Sequence, residues 1–412
     1  MLRVIFHIAR NTFRECLRHP VYIVLLLSAM SIIGWYPWLS LFVFRQQEKM
    51  VTDGSLATIL LFGLMAAVLC ASHAIYREIE TGTVLLVLAK PIGRGRFVIA
   101  KMLGIISALT IFVFLTSIST LFAVRVAVDQ FELDAWVWGC HWFGIVLACA
   151  VGAYRNFTKR ITFPASTVKA LVVIFSFLAV VVYWSPPYKY QIKWGEHVGY
   201  NWDLVAACVL VLFAVWAMCA LATALSTQFN LISNLSICLV IFMCGLISDY
   251  LYDKILAMTV ADSIRMMHSW FYILIPIGFG LWLLSLKHFS MRRQTQVRKW
   301  HINAIFGLSL AAIITRAVVN KVTHADARDP AVWMQTVGTG IYRIKETVAN
   351  AIHAMLPNWQ KFFMADALAA KESIPASYIL CGAAYAVIFV VMLYLLAVLL
   401  FAGKEVGTQA QS

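Results

Sequence analysis

Ten stretches of the chain are apolar almost throughout: 21–44, 55–75, 97–124, 136–153, 166–184, 204–225, 230–251, 269–286, 303–319 and 378–401. At about 1.5 Å per helical residue, stretches of this length match the hydrocarbon thickness of a bilayer. The pattern predicts an all-α polytopic membrane protein, a bundle of about ten transmembrane helices filling residues 21–404. The pairs 136–153/166–184 and 269–286/303–319 are the shortest or carry a polar residue, so eight spans is the other reading. Trp35, Tyr36, Trp38, Trp136, Trp138, Tyr183, Trp184, Trp270 and Tyr272 fall at span ends, where aromatic belts form.

The first residues follow a different period. Leu2, Ile5, Phe6, Ala9, Phe13, Cys16 and Leu17 share one helical face, and Arg3, His7, Arg10, Arg14 and Arg18 share another. Residues 1–20 therefore read as an amphipathic helix lying on the membrane, with Arg3, Arg10, Arg14 and Arg18 toward headgroups and Phe6 and Phe13 toward lipid. Broken by arginines and followed by a long span, this start does not have the form of a cleavable signal. Between the last two stretches, 320–376 carries Val332, Trp333, Val337, Ile341, Ile344, Val348 and Met355 at helical spacing, which predicts an amphipathic helix at the outer face. Pro357 ends it, and 405–412 is a short polar tail.

Composition supports the membrane reading. Of 412 residues, 62% are hydrophobic and 13% charged, about half the charged share usual in soluble domains. A net charge of +14 would suggest nucleic acid in a soluble chain. Here the cations sort by loop, with nineteen Lys/Arg on one alternating set of loops and seven on the short loops of the other. The richer set faces the cytoplasm by the positive-inside rule. Both termini are then cytoplasmic, 77–101 and 287–299 face inside, and 189–201 and 326–371 face outside. No nucleic-acid partner is expected. The nine cysteines show no CxxC pair, and no HExxH helix occurs, so no metal site is predicted. His141, inside a span, reads as a packed, hydrogen-bonded histidine or, less favoured, a functional one; Pro276 and Gly278 fit a kink.

The most informative polar stretch is REIETGTVLLVLAKPIGRGRFVIAKMLG, residues 77–104. Glu78 and Glu80 precede Gly82 and Thr83, and five apolar residues, 84–88, follow. Lys90 and Pro91 end that run, and Arg94, Arg96 and Lys101 lead into the next span. Leucines on a cytoplasmic loop need a cover, either the bundle's own underside or a partner.

This stretch resembles the coupling helix of the ABC type-2 (ABC-2) transporter permease family, through Glu78, Glu80, Gly82, Thr83, Leu85, Leu88, Lys90, Pro91, Arg94, Phe97 and Lys101. RNTFRECLRHP is similar to that family's N-terminal interfacial helix, with Arg14, Glu15 and Arg18 at matching positions. ALSTQFNLISNLSICLVIFMCGLISDYL resembles its paired central spans, with Ser226 at the turn. LPNWQKFFMADALAAKESIPASY and the span ending FAGKEV look like its external segment and final helix. The family has six spans, so the two less regular pairs would be inserted hairpins.

The resemblance implies a permease subunit in a cytoplasmic membrane of bacterial type. It exports a substrate, or transmits force, at the expense of ATP hydrolysed elsewhere. Its expected partners are an ABC ATPase subunit docked on Glu78, Glu80, Gly82, Thr83, Leu85, Leu88, Lys90, Pro91, Arg94 and Phe97, a second permease subunit in a homodimer or heterodimer, and the lipid bilayer. No GxxxxGK[ST] occurs, so no cofactor is expected on this chain, ATP and Mg belonging to the ATPase. Two other classes compete. An ion-gradient transporter would show mid-membrane carboxylates in corresponding halves, and a membrane-embedded enzyme would show converging His, Asp, Glu or Ser. Neither pattern is present.

Overall fold

The computed structural model describes residues 2–43, 46–83, 93–127, 133–185, 202–257, 357–370 and 372–402. They form helices α1 (Leu2–Arg18), α2 (Pro20–Ser40), α3 (Gln47–Ala71), a π-helical turn (Ser72–Tyr76), α4 (Arg77–Glu80), α5 (Arg94–Val126), α6 (Ala135–Lys159), α7 (Phe163–Trp184), α8 (Trp202–Ser226), α9 (Leu231–Ala257), α10 (Ala365–Ala369) and α11 (Ala376–Ala402), with a short 3-10 turn at Gln360–Phe362. Among the described residues, eight helices are long and apolar enough to cross a membrane. The less regular pair at 136–184 is present as the α6–α7 hairpin. The pair 269–286/303–319 lies outside the described residues, as does the amphipathic stretch around 332–355.

The chain divides into two compact units, Met1–Leu246 with Asn358–Ser412, and Ile247–Pro357. Of the second, the end of α9, Ile247–Ala257, and Pro357 are described. In the first unit, α3, α5 and α8 form the centre, with most of their span residues buried, while α6, α7 and α11 bury a minority of theirs. α2, α3, α5 and α8 pack on one another, α6 pairs with α7, and α11 lies along α8. Outward faces carry Phe143, Val146, Val173, Phe177, Ile388 and Leu399, the apolar surface a lipid-facing helix needs.

Two buried polar side chains inside this bundle tie helices together. Tyr22 donates to the Ala108 carbonyl at 2.7 Å, tying α2 to α5. His141 is buried with Nε2 3.2 Å from the Met30 carbonyl, among the rings of Phe122, Trp142 and Phe175. It is packed and hydrogen-bonded, the first of its two readings. Gly34 makes room for it, because a Cβ there would meet His141 Nε2 at 2.6 Å.

The helix ends fall into two groups. At one end Arg94 donates to the Phe401 carbonyl and Gln228 to the Leu400 carbonyl. At the other, Arg125 donates to the carbonyls of Val182 and Ser185, Lys49 pairs with Asp366, and Asp203 accepts from the Ile374 amide. The alternation of loops predicted from hydropathy places these groups together in the same way. One boundary differs. The helices on either side of 84–92 run longer than the spans read from hydropathy, Gln47–Glu80 for 34 residues and Arg94–Val126 for 33. A hydrocarbon core needs about 20, so about two turns or more of each project beyond it.

Candidate functional site

The projecting ends of α3, α4 and α5 meet α1 at the end of the bundle that holds both sides of 84–92. α1 is amphipathic, and its inward face is taken by α5 instead of being left wholly to lipid. Thr12, Cys16 and Leu17 are buried, and Gly104 of α5 lets the α1 backbone approach, with the Ala9 carbonyl oxygen 2.6 Å from where a Cβ would stand. Small residues permit such close crossings between membrane helices. Phe6 remains 64% exposed and Phe13 half-buried on a shoulder beside this contact. Arg3, Arg10, Arg14 and Arg18 are exposed and form no ion pair among the described residues.

Lys101 is the centre of the arrangement. It is nearly fully buried, with Nζ 2.6 Å from Glu78 Oε1 and 3.8 Å from Glu15 Oε2, and it lies 5.7 Å from the centre of the Phe97 ring. One cation thus joins α1, α4 and α5. Glu15 also faces His73 at 3.6 Å, and the His73 ring lies against that of His19, with 4.4 Å between centres. His73 Nε2 in turn is 2.9 Å from Arg77. His19 caps α2, accepting the Val21 amide at Nδ1. Its pKa is held below the ordinary value by burial, then by His73 and Arg77, with Glu15 opposing. Beside these groups a cleft of about 460 Å³ opens, lined by Asn11, Arg14, Glu15, Arg18, His73 and Glu78 among others.

The expected docking residues separate into three kinds. Glu80 is exposed and without an ion-pair partner among the described residues. Gly82 takes φ +70°, the left-handed turn that ends α4, and Thr83 Oγ1 donates back to the Glu78 carbonyl at 3.3 Å. These three lead directly into 84–92, so Leu85, Leu88, Lys90 and Pro91 lie outside the described residues. Glu78 and Arg94 are tied within the chain, Glu78 by Lys101 and Arg94 by the Phe401 carbonyl and ring. Phe97 corrects its own expectation. It is fully buried and stacked on Phe401 at 5.9 Å, so it supports the start of α5 and presents no docking surface.

Two residues of the site have a structural role that their sequence context does not show. Lys101, a motif position and flanking charge in the sequence, is buried against Glu78 and also against Glu15, a lone acid among arginines. Asn234, fully buried in α9, donates to Ser72 Oγ in the π-helical turn and to the Ala222 carbonyl, each at 3.1 Å. A polar amide in an apolar span was its only signal.

Residues 8–182 match the family model described as ABC-2 family transporter protein. No curated protein and no solved structure matches the chain. The matched stretch holds Glu15, Glu78 and Lys101, the three residues that join α1, α4 and α5. Together with eight helices, among the described residues, long and apolar enough to cross a membrane, the match supports a transmembrane transport component.

Proposed function

We propose that this chain, similar over residues 8–182 to ABC-2 family transporter proteins, is the permease subunit of an ATP-driven exporter and docks a separate ATPase through 77–101. The observation that carries the reading is the Glu15–Lys101–Glu78 cluster. It fastens the segment leading into 84–92 to the N-terminal helix and to the start of a central span, so a load applied to 84–92 reaches the membrane helices through a buried cation. The Lys/Arg bias assigns this end of the bundle to the cytoplasm. A second permease subunit, identical or similar, would complete the path for an exported substrate or a transmitted force.

The test is retention of the cognate ATPase by the membrane-extracted chain. Leu85→Ala with Leu88→Ala should lower retention tenfold or more, because losing about 1.4 kcal/mol of contact is tenfold in affinity. Glu80→Lys should weaken it without loss of chain from the membrane. Glu78→Lys is unsuited to this purpose, since it would set a second cation against Lys101 and disturb the fold. Undiminished ATPase retention by both the leucine pair and the Glu80 variant would refute the docking assignment.

A further inference from the structure

We propose that Ser72–Tyr76 is a register switch between the membrane spans and the ATPase-facing segment, and that Asn234 is the positioning residue that holds it; this rests on the permease reading above. The turn is closed by the Arg77 amide donating to the Ser72 carbonyl, five residues back instead of four. Such a turn inserts one residue into an otherwise continuous helix, and π-turns of this kind gather at functional sites. Every later position therefore lags by one residue, about 100° around the axis. Glu78 stands where residue 77 of an uninterrupted helix would stand. Were Ser72–Tyr76 to relax to α-helix, Arg77 would face Lys101, and Glu78 would swing away with the chain that enters 84–92.

Opposing contacts set the balance. The regular α-helical bonding pattern favours the relaxed form, while Glu78 on Lys101 favours the π form. So does Asn234, whose Nδ2 holds the hydroxyl of Ser72, the same residue whose carbonyl closes the turn. The amide is well braced for this. Its Nδ2 also reaches the Ala222 carbonyl, and its Oδ1 accepts from Cys238 Sγ at 3.3 Å. The turn between α8 and α9, just before the first turn of α9 that carries Asn234, also holds α11, through Gln228 and the Leu400 carbonyl at 2.7 Å. A change at Ser72–Tyr76 is therefore felt by α3, α8, α9 and α11 together. One element with two arrangements, biased from both ends, is what a two-state transmission needs.

The experiment follows backbone hydrogen exchange of residues 72–80 in lipid nanodiscs, with two kinds of variant. Asn234→Leu keeps side-chain volume and removes the hold, and Ser72→Ala is its independent partner. Deletion of Ala74 removes the inserted residue, leaving an uninterrupted helix with Glu78 still toward Lys101. In the chain alone, exchange at 72–80 should fall in Asn234→Leu and Ser72→Ala toward the level of the deletion, where it is lowest, with 105–120 unchanged in all. With the ATPase bound, ATP plus vanadate should shift exchange at 72–80 in the native chain and not in the deletion, although the deletion still retains the ATPase. Equal exchange in all variants, or a nucleotide response that survives the deletion, would overturn the switch. Failure of the native chain to retain any ATPase would overturn the permease reading, and the switch with it; the retention assay tells that failure from failure of the switch alone.

Discussion

Replacing Lys101 with methionine keeps most of the apolar stem and removes the cation from between two carboxylates. Lys101 is 4% exposed at its side chain, while Glu78 and Glu15 are 23% and 30% exposed. Removing one partner of a fully buried pair costs about 3–5 kcal/mol, because a charge is left without compensation. Here both carboxylates retain some water, so the expected loss is smaller, about 2–3 kcal/mol. The cation also lies over the Phe97 ring, whose contribution is part of that figure. Glu78→Gln should cost less than Lys101→Met, since Lys101 keeps Glu15. The double variant isolates the pair: with Lys101 gone, the Glu78 carboxylate is a liability, and its neutralisation should recover 1 kcal/mol or more relative to the sum of the single losses, an order of magnitude taken from contacting pairs. The assay is unfolding of the purified chain in one detergent, for native, both singles and the double. If the single losses add to within about 0.5 kcal/mol, Lys101 and Glu78 are not coupled and the cluster does not fasten α4 to α5.

Three other expectations follow from the same end of the bundle and the helix that borders it. Gly104→Leu should lift α1 from α5, because even a Cβ would meet the Ala9 carbonyl oxygen at 2.6 Å; faster proteolysis within 3–18 reads this, and unchanged cleavage argues against the crossing. Phe6→Asp with Phe13→Asp should raise the bilayer depth of a fluorophore at residue 7 toward water, each buried aromatic contributing roughly 1.5–3 kcal/mol, and an unchanged depth refutes an interfacial α1. His19, with its folded pKa below the ordinary value of about 6.5, favours the neutral ring whose Nδ1 caps α2. Its contribution is therefore complete above about pH 6.5 and lost as pH falls below it; His19→Asn, which keeps a capping oxygen, should flatten the fall in thermal stability between pH 7 and 5, and superimposable acid limbs would refute the cap.

What the sequence exposes and what it hides follow from the solvent. In a bilayer, a run of apolar residues reports only that a segment leaves water; lipid and protein neighbours are equally apolar, so the run does not say which face meets which helix. That is why the spans and α1 could be read from periodicity, while the centrality of α3, α5 and α8 could not. It is also why Phe97 looked available. Its cover is Phe401, at the far end of the chain, and nothing local marks that pairing. The residues that do carry contact information are the exceptions to the apolar pattern: Glu15 among arginines, Gly104 inside a span, Ser72 and Asn234 where hydrocarbon would be cheaper. Each is unfavourable in lipid by itself and is tolerated because a specific neighbour satisfies it. The π-helical turn belongs to the same class, since no propensity favours it and it is flanked by Glu78 on Lys101 and Asn234 on Ser72. In such a chain the polar and small residues inside spans locate the moving parts, because they are the positions where the loss of one neighbour changes which arrangement is stable.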